Sequence, residues 1–306
     1  MCRTATLALV LAAALTAGHA AADCAPPYLF RWNTHGSYLL SMAVGGGDGN
    51  LYVLDGAAVV RVYGPDGALL HQWVASYPSW YPYDIAADAQ GNVYVTDLVA
   101  VNKFTSAGTF VRKWFPGAGC QFGPDGGSPT AIAVDAQGNV YTMTGEGPRM
   151  EKFTGDGTLL AAWDVQTAHC GDYAIAVDGQ GVVYVIDKYG SYGAAYDVSV
   201  LRYTSNGNLL GQWGPFEGAQ DIAVDGDGRV YVNVPYGGIL TLAGDGTVLC
   251  AWDPSIGGLG TGRAVAAGPS GYVYVMDDLS PYIAKFGDVP TPTHRPTWGS
   301  MKAIYR

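Results

Sequence analysis

Carboxylates are the chemically capable groups that this sequence repeats most regularly. Asp55, Asp97, Asp187 and Asp277 each close a short apolar run, while Asp88, Asp135, Asp178 and Asp225 each open a glycine-containing turn. Aspartates in such places bond nearby backbone N–H groups, a structural task that suits a residue recurring with its surroundings. A residue placed for chemistry should break the pattern instead. Asp84 and Asp221 do so, standing where related stretches carry alanine, and Arg263 is a third break. Two carboxylates aimed at one point could hold a divalent cation such as Ca or Zn, with Glu146 and His169 the nearest further ligands. Histidine is otherwise scarce, and neither a Ser-His-Asp arrangement nor a phosphate loop can be assigned a geometry.

A second set of residues suits recognition rather than reaction. Tyr77, Trp80, Tyr81 and Tyr83 lie in one segment, Tyr189, Tyr192 and Tyr196 in another, and Tyr236 and Tyr282 in two more. Rigid amphipathic rings among Gly and Ser give contact area at little entropic cost, as peptide- and sugar-binding surfaces require. The same rings could equally pack loop bases.

The elements that position these residues form a repeat. Thr130 to Trp163 is one unit: an apolar strand, a tight polar turn, a second strand, a glycine-containing connection, a third strand, another tight turn, and a fourth strand closing on Trp163. Six units align on their second strands, which read LYVLD, VYVTD, VYTMT, VYVID, VYVNV and VYVMD, with Tyr52, Tyr94, Tyr141, Tyr184, Tyr231 and Tyr274 in register. The Val-Tyr-Val alternation predicts half-buried strands, and the turn glycine supplies the positive φ of a tight antiparallel connection. Four short antiparallel strands at this period describe a propeller blade. Five units end on a tryptophan, namely Trp73, Trp114, Trp163, Trp213 and Trp252, and the sixth has none. YLFRW (Tyr28 to Trp32) matches the missing strand, so the ring is expected to close with an N-terminal outer strand on the sixth blade. An open ring would expose a strand edge and an unpaired blade face.

The inner strands of the type AIAVD, the glycine turn, the VYV-D strand and the KF turn resemble NHL repeats, over about residues 28 to 288. No unit has the Gly-His and Trp-Asp signatures of WD repeats. The resemblance implies an all-β, six-bladed propeller in which the blade-to-blade and second-to-third-strand loops share one face. Those loops include residues 115–129, 164–172, 188–198 and 253–262. On such a ring Asp84 and Asp221 fall in opposite blades, near the axis. Cys120 and Cys170 fall in neighbouring loops, and Cys24 lies beside the outer strand that holds Cys250, so Cys120–Cys170 and Cys24–Cys250 are the expected disulfides among three possible connectivities. Amidating lyases on a similar fold use histidine-ligated metal and six-bladed lactonases use acidic and amide ligands, and neither full set can be found here.

Composition bounds the remainder. Residues 1–22 carry Arg3, an apolar run too short to span a bilayer, and small residues at the end, the pattern of a cleaved secretory signal. Its removal moves the formal net charge from −10 to −11, because Arg3 is its one charged residue. Such a surface repels nucleic acid and anionic lipid. Residues 23–288 form the propeller, and 289–306 a Pro/Thr-rich linker and a short amphipathic stretch. The expectation is therefore a secreted protein, periplasmic or extracellular, monomeric, without cofactor. It would act as a non-catalytic binding or scaffold propeller that takes a protein, peptide or glycan on its loop-bearing face, through Tyr77, Trp80, Tyr81, Tyr83, Tyr189, Tyr192, Tyr236 and Arg263. The alternative is a metal-dependent lyase or lactonase with Asp84 and Asp221 at the channel mouth.

Overall fold

A computed structural model of the chain describes residues 25–36, 38–75, 81–117, 128–144, 148–166, 173–187, 198–216, 218–234, 238–268 and 271–287. The alternating apolar runs become strands in six four-stranded antiparallel sheets. Blade 1 holds β2 (Leu39–Val44), β3 (Leu51–Asp55), β4 (Val59–Tyr63) and β5 (Leu69–Val74). Blade 2 holds β6 (Pro82–Ala87), β7 (Asn92–Asp97), β8 (Val101–Thr105) and β9 (Phe110–Trp114). Blade 3 holds β10 (Pro129–Val134), β11 (Val140–Thr144), β12 (Arg149–Phe153) and β13 (Leu159–Asp164). Blade 4 holds β14 (Tyr173–Val177), β15 (Val183–Asp187), β16 (Val200–Tyr203) and β17 (Leu209–Trp213). Blade 5 holds β18 (Asp221–Val224), β19 (Val230–Val234), β20 (Gly238–Leu242) and β21 (Val248–Trp252). Blade 6 takes β22 (Gly262–Ala267), β23 (Val273–Asp277) and β24 (Tyr282–Phe286) from one end of the propeller sequence and β1 (Tyr28–Asn33) from the other, in the order β1-β24-β23-β22. The closure expected from YLFRW is present, with Trp32 opposite Ile283 and Asn33 opposite Tyr282.

Each inner strand touches the inner strand on either side, and β22 meets β2, so the ring is complete. The core is accordingly divided into six apolar clusters, one at each blade interface, rather than gathered at a single centre. The aligned tyrosines are nearly fully buried in these seams.

The turn aspartates do what their recurrence implied. Asp88 Oδ1 accepts from the N–H groups of Gln90 and Asn92, and its Oδ2 accepts from Asn92 Nδ2 and, at 2.9 Å, from the Tyr94 hydroxyl. Asp135 and Asp225 repeat this with Tyr141 and Tyr231. In blade 1 a glycine, Gly45, stands at that position, and Asp48 bonds Tyr52 from three residues further on. Burial and the adjacent carboxylate together hold the Tyr94 and Tyr141 hydroxyls protonated well beyond the usual phenol range.

A second device joins neighbouring blades. The closing tryptophan of one outer strand lies under the glycine in the last turn of the next blade: Trp73 under Gly108, Trp114 under Gly157, Trp163 under Gly207, Trp213 under Gly246, and Trp32 of blade 6 under Gly67 of blade 1. A Cβ on Gly108 would stand 2.5 Å from the Trp73 ring, and the backbone there has φ +82°, so glycine is required twice over. Trp252 is the exception, because blade 6 has no such turn. It packs instead on Phe286, centroids 4.8 Å apart, and donates to Thr241 Oγ1.

Candidate functional site: the axial channel and the loop face

The inner strands bear small side chains, so six of them surround an axial channel with a cavity of about 140 Å³. Asp84, the third residue of β6, and Asp221, the first of β18, both line it, together with Ser41. The expected pair of axial carboxylates from opposite blades is therefore real in position. Both are tied to the backbone of the following blade. Asp84 Oδ2 accepts from Ile132 N of blade 3 at 2.9 Å, and Asp221 Oδ2 accepts from Val265 N of blade 6 at 2.8 Å. Asp84 Oδ1 also accepts from Ser41 of blade 1 at 2.5 Å, so one carboxylate links three consecutive blades.

Residues that sequence reasoning passed over complete this arrangement. Thr96 Oγ1 accepts a hydrogen bond from Asp84 N at 3.0 Å. In blade 5 the equivalent place is Asn233, paired in register with Asp221, and its Nδ2 donates to Gly262 O of blade 6 at 2.9 Å. Both are essentially fully buried. The other four blades carry Leu54, Met143, Ile186 and Met276 there. The signal was thus available: the two blades with an inner-strand aspartate are the two with a polar residue facing it.

Three of the strand-end aspartates, Asp55, Asp97 and Asp277, bond loop backbone. Asp55 accepts from Ala57 N and Val59 N and pairs with Arg61 at 2.6 Å, and Asp97 accepts from Val99 N, Ala100 N and Asn102 Nδ2. Asp277 holds Gly260 N, Leu279 N and the Ser280 hydroxyl. Gly260 belongs to the connection into blade 6, so this carboxylate fixes one wall of a cleft of about 230 Å³ on the loop face. Val234, Gly238, Asp253, Ser255 and Thr261 line the rest of it. The Asp253 carboxylate accepts from Ser255 N and starts the short 3-10 turn Pro254–Gly257.

Arg263, at the start of β22, lies on the same face. Its guanidinium stacks on Tyr38, 4.7 Å from the ring centre, bonds the Tyr38 hydroxyl, and pairs with Asp278 at 3.2 Å. Tyr38 is 67% exposed and sits at φ +53°, a conformation a tyrosine seldom adopts. Tyr81 is 75% exposed and Tyr83 half-buried. Tyr77, Trp80, Glu146, His169, Tyr189, Tyr192 and Tyr236 lie outside the described residues, as do Cys24, Cys120 and Cys170. Cys250 is buried in β21, within an apolar cluster against which Ala25 also packs.

Among the described residues no group of three or more His, Cys, Asp or Glu side chains is placed to hold a metal ion. Two carboxylates already accepting from backbone amides do not by themselves make a Ca or Zn site. No described helix is long and apolar enough to cross a membrane.

No family model matches the sequence, and no curated protein matches it. Solved structures match in fold. A streptogramin B lyase aligns at 16% identity and a TM-score of 0.60, over 86% of this chain and 88% of its own. The gluconolactonase XC5397 from Xanthomonas campestris aligns at 15% identity and 0.61, over 87% and 95%. U3-55K aligns at 13% and 0.58, over 83% and 81%. At these identities the likeness is one of propeller architecture, a scaffold that carries unrelated functions.

Proposed function

We propose that the protein is a secreted binding or scaffold propeller, which engages a protein, peptide or glycan on its loop-bearing face. The observation that carries this reading is the use made of Asp84 and Asp221. The two acids that break the repeat at the channel act as ties between blades, each accepting a hydrogen bond from a backbone N–H of the next inner strand. The exposed chemistry of the loop face is of a recognising kind: the Arg263–Tyr38–Asp278 group, the outward Tyr81, and the polar cleft between blades 5 and 6. Export through a cleaved signal of residues 1–22 and a Cys24–Cys250 disulfide belong to the same proposal. Ala25 and Cys250 sharing one cluster supports the latter.

A second reading is favoured by one observation, the named activities of two structural neighbours, a lyase and a gluconolactonase. In it Asp84 and Asp221 would be drawn into a metal-dependent site at the channel mouth. Elemental analysis of the protein purified without affinity metals, paired with thermal melts before and after chelation, separates the two. The binding reading expects a melt indifferent to chelator. About one retained Ca or Zn per chain, with a melting point that falls on its removal and falls further in Asp84→Asn, would overturn it.

A further inference from the structure

Thr142 stands in β11 where the other five blades carry a valine: Val53, Val95, Val185, Val232 and Val275. Each of those valines packs in an apolar seam. Thr142 is fully buried as they are, and its Oγ1 has no hydrogen-bond partner among the described residues. An enclosed hydroxyl left unpaired is costly, so a threonine there calls for a partner. Alternation along the strands fixes the seam it faces. Val140 and Phe153 belong to the cluster shared with Tyr94, Val101 and Trp114 of blade 2. Thr142 and Glu151, each two residues from one of these, therefore face blade 2 as well.

Thr142 and Glu151 are directly opposite one another in the β11–β12 register. Glu151 is 2% exposed, and its Oε2 accepts from Gly117 N at 2.8 Å. Its Oε1 lies 3.6 Å from Arg149 Nε, beyond hydrogen-bonding distance. That Nε is itself buried and without a hydrogen-bond partner, while the Nη1 of the same guanidinium turns outward to Asp164 of β13 at 3.3 Å. A hydroxyl, a guanidinium N–H and a carboxylate oxygen thus lie on one buried face of blade 3 without bonding each other directly. Burial pushes the Glu151 carboxyl upward, as expected of an acid short of donors.

We propose that the seam between blades 2 and 3 binds an internal water molecule, which accepts from Arg149 Nε, donates to Glu151 Oε1 and bonds the Thr142 hydroxyl. A buried water has about three polar partners, and a polar contact longer than about 3.5 Å is where one bridges. A metal cation is the wrong occupant, because a guanidinium already stands beside the carboxylate. The consequence reaches the loop face. Glu151 holds Gly117 N in the segment entering blade 3, as Asp277 holds Gly260 N in the segment entering blade 6. The second strand of blade 3 ends on Thr144 rather than on aspartate, so its third strand supplies the carboxylate, and the water helps to keep it ionised.

Thr142→Val gives opposite results with and without the water. The glutamates of the chain are Glu146, Glu151 and Glu217, so carbon-13 at the glutamate carboxyl gives three signals, and Glu151→Gln identifies the relevant one. The expected result in Thr142→Val is a lower urea midpoint at pH 7 and a Glu151 titration about one pH unit higher, the worth of one hydrogen bond to a charged group. Thr142→Ser, which keeps the hydroxyl, should titrate as the native protein does. The loss in Thr142→Val should shrink in acid, where Glu151 is neutral, and in a Glu151→Gln background. A Thr142→Val protein that is more stable than the native one, with the Glu151 titration unmoved, would overturn the proposal, because the hydroxyl would then be only an unpaired group. A crystal structure identifies the bridging atom. A water within hydrogen-bonding distance of Thr142 Oγ1 and Glu151 is expected, and an Oγ1 turned directly onto Glu151, or met by a loop residue, overturns the proposal as well.

Discussion

Gly108→Ala and Gly228→Ala form a matched pair that tests whether the tryptophan seams set blade spacing. Both glycines sit in tight turns at nearly the same backbone angle, φ +82° and +78°. An alanine at either position should cost about 1–2 kcal/mol for left-handed backbone alone. They differ in what the new methyl meets. At Gly228 nothing stands within 4 Å, whereas at Gly108 the methyl would fall 2.5 Å from Cδ2 and 2.6 Å from Cγ of Trp73. Those atoms belong to a ring held between Tyr52 and Phe104, so it has little room to retreat. Overpacking of this kind adds about 1–3 kcal/mol, giving about 2–5 kcal/mol for Gly108→Ala against about 1–2 for Gly228→Ala. Urea unfolding followed by tryptophan fluorescence and by circular dichroism measures both. Repeating Gly108→Ala in a Trp73→Leu background should shrink the excess, since the obstacle is then removed. Equal losses for the two alanines, or an excess that survives in Trp73→Leu, would refute the argument that the ring and the glycine are fitted to one another.

Other outcomes follow from the same structure. Asp84→Ala leaves Ile132 N and Ser41 Oγ without their acceptor and should cost about 1–3 kcal/mol in chemical unfolding, with Asp84→Asn closer to the native protein. Burial raises Tyr63 and Tyr274 from the ordinary 10 to about 12, so the stability they contribute is fully present below pH 10 and is lost as pH rises through about 12. Phenolate absorbance should therefore appear together with loss of the β circular dichroism signal, and ionisation near pH 10 with the fold intact would contradict this. Glu151 is pushed upward by burial, against the pull of Gly117 N and Arg149, so its contribution is greatest in acid and declines as pH rises through its folded value. Glu151→Gln should gain melting temperature relative to the native protein as pH is raised from acid to neutral. Non-reducing peptide mapping should join Cys24 to Cys250, and a Cys24–Cys120 peptide would exclude that pairing.

The sequence by itself determined the architecture, because every blade repeats the same local chemistry. A glycine at a positive-φ turn, an aspartate that bonds its own turn and a Val-Tyr-Val alternation each act over a few residues, and their period is readable without coordinates. Even the ring closure was legible, since YLFRW is a fourth strand lacking the three that should precede it. The tertiary structure decided what the exceptional residues do. Asp84 and Asp221 stand out in sequence only as breaks in the repeat, and the amides they accept from belong to the next blade, at Ile132 and Val265, 48 and 44 residues away. Arg263 looks like a free contact for a ligand, and its stacking on Tyr38 arises only because closure brings blade 6 against blade 1. The tryptophan beneath the next blade's glycine is likewise invisible along the chain: both residues are obvious, and their fit is a property of the angle at which successive sheets pack.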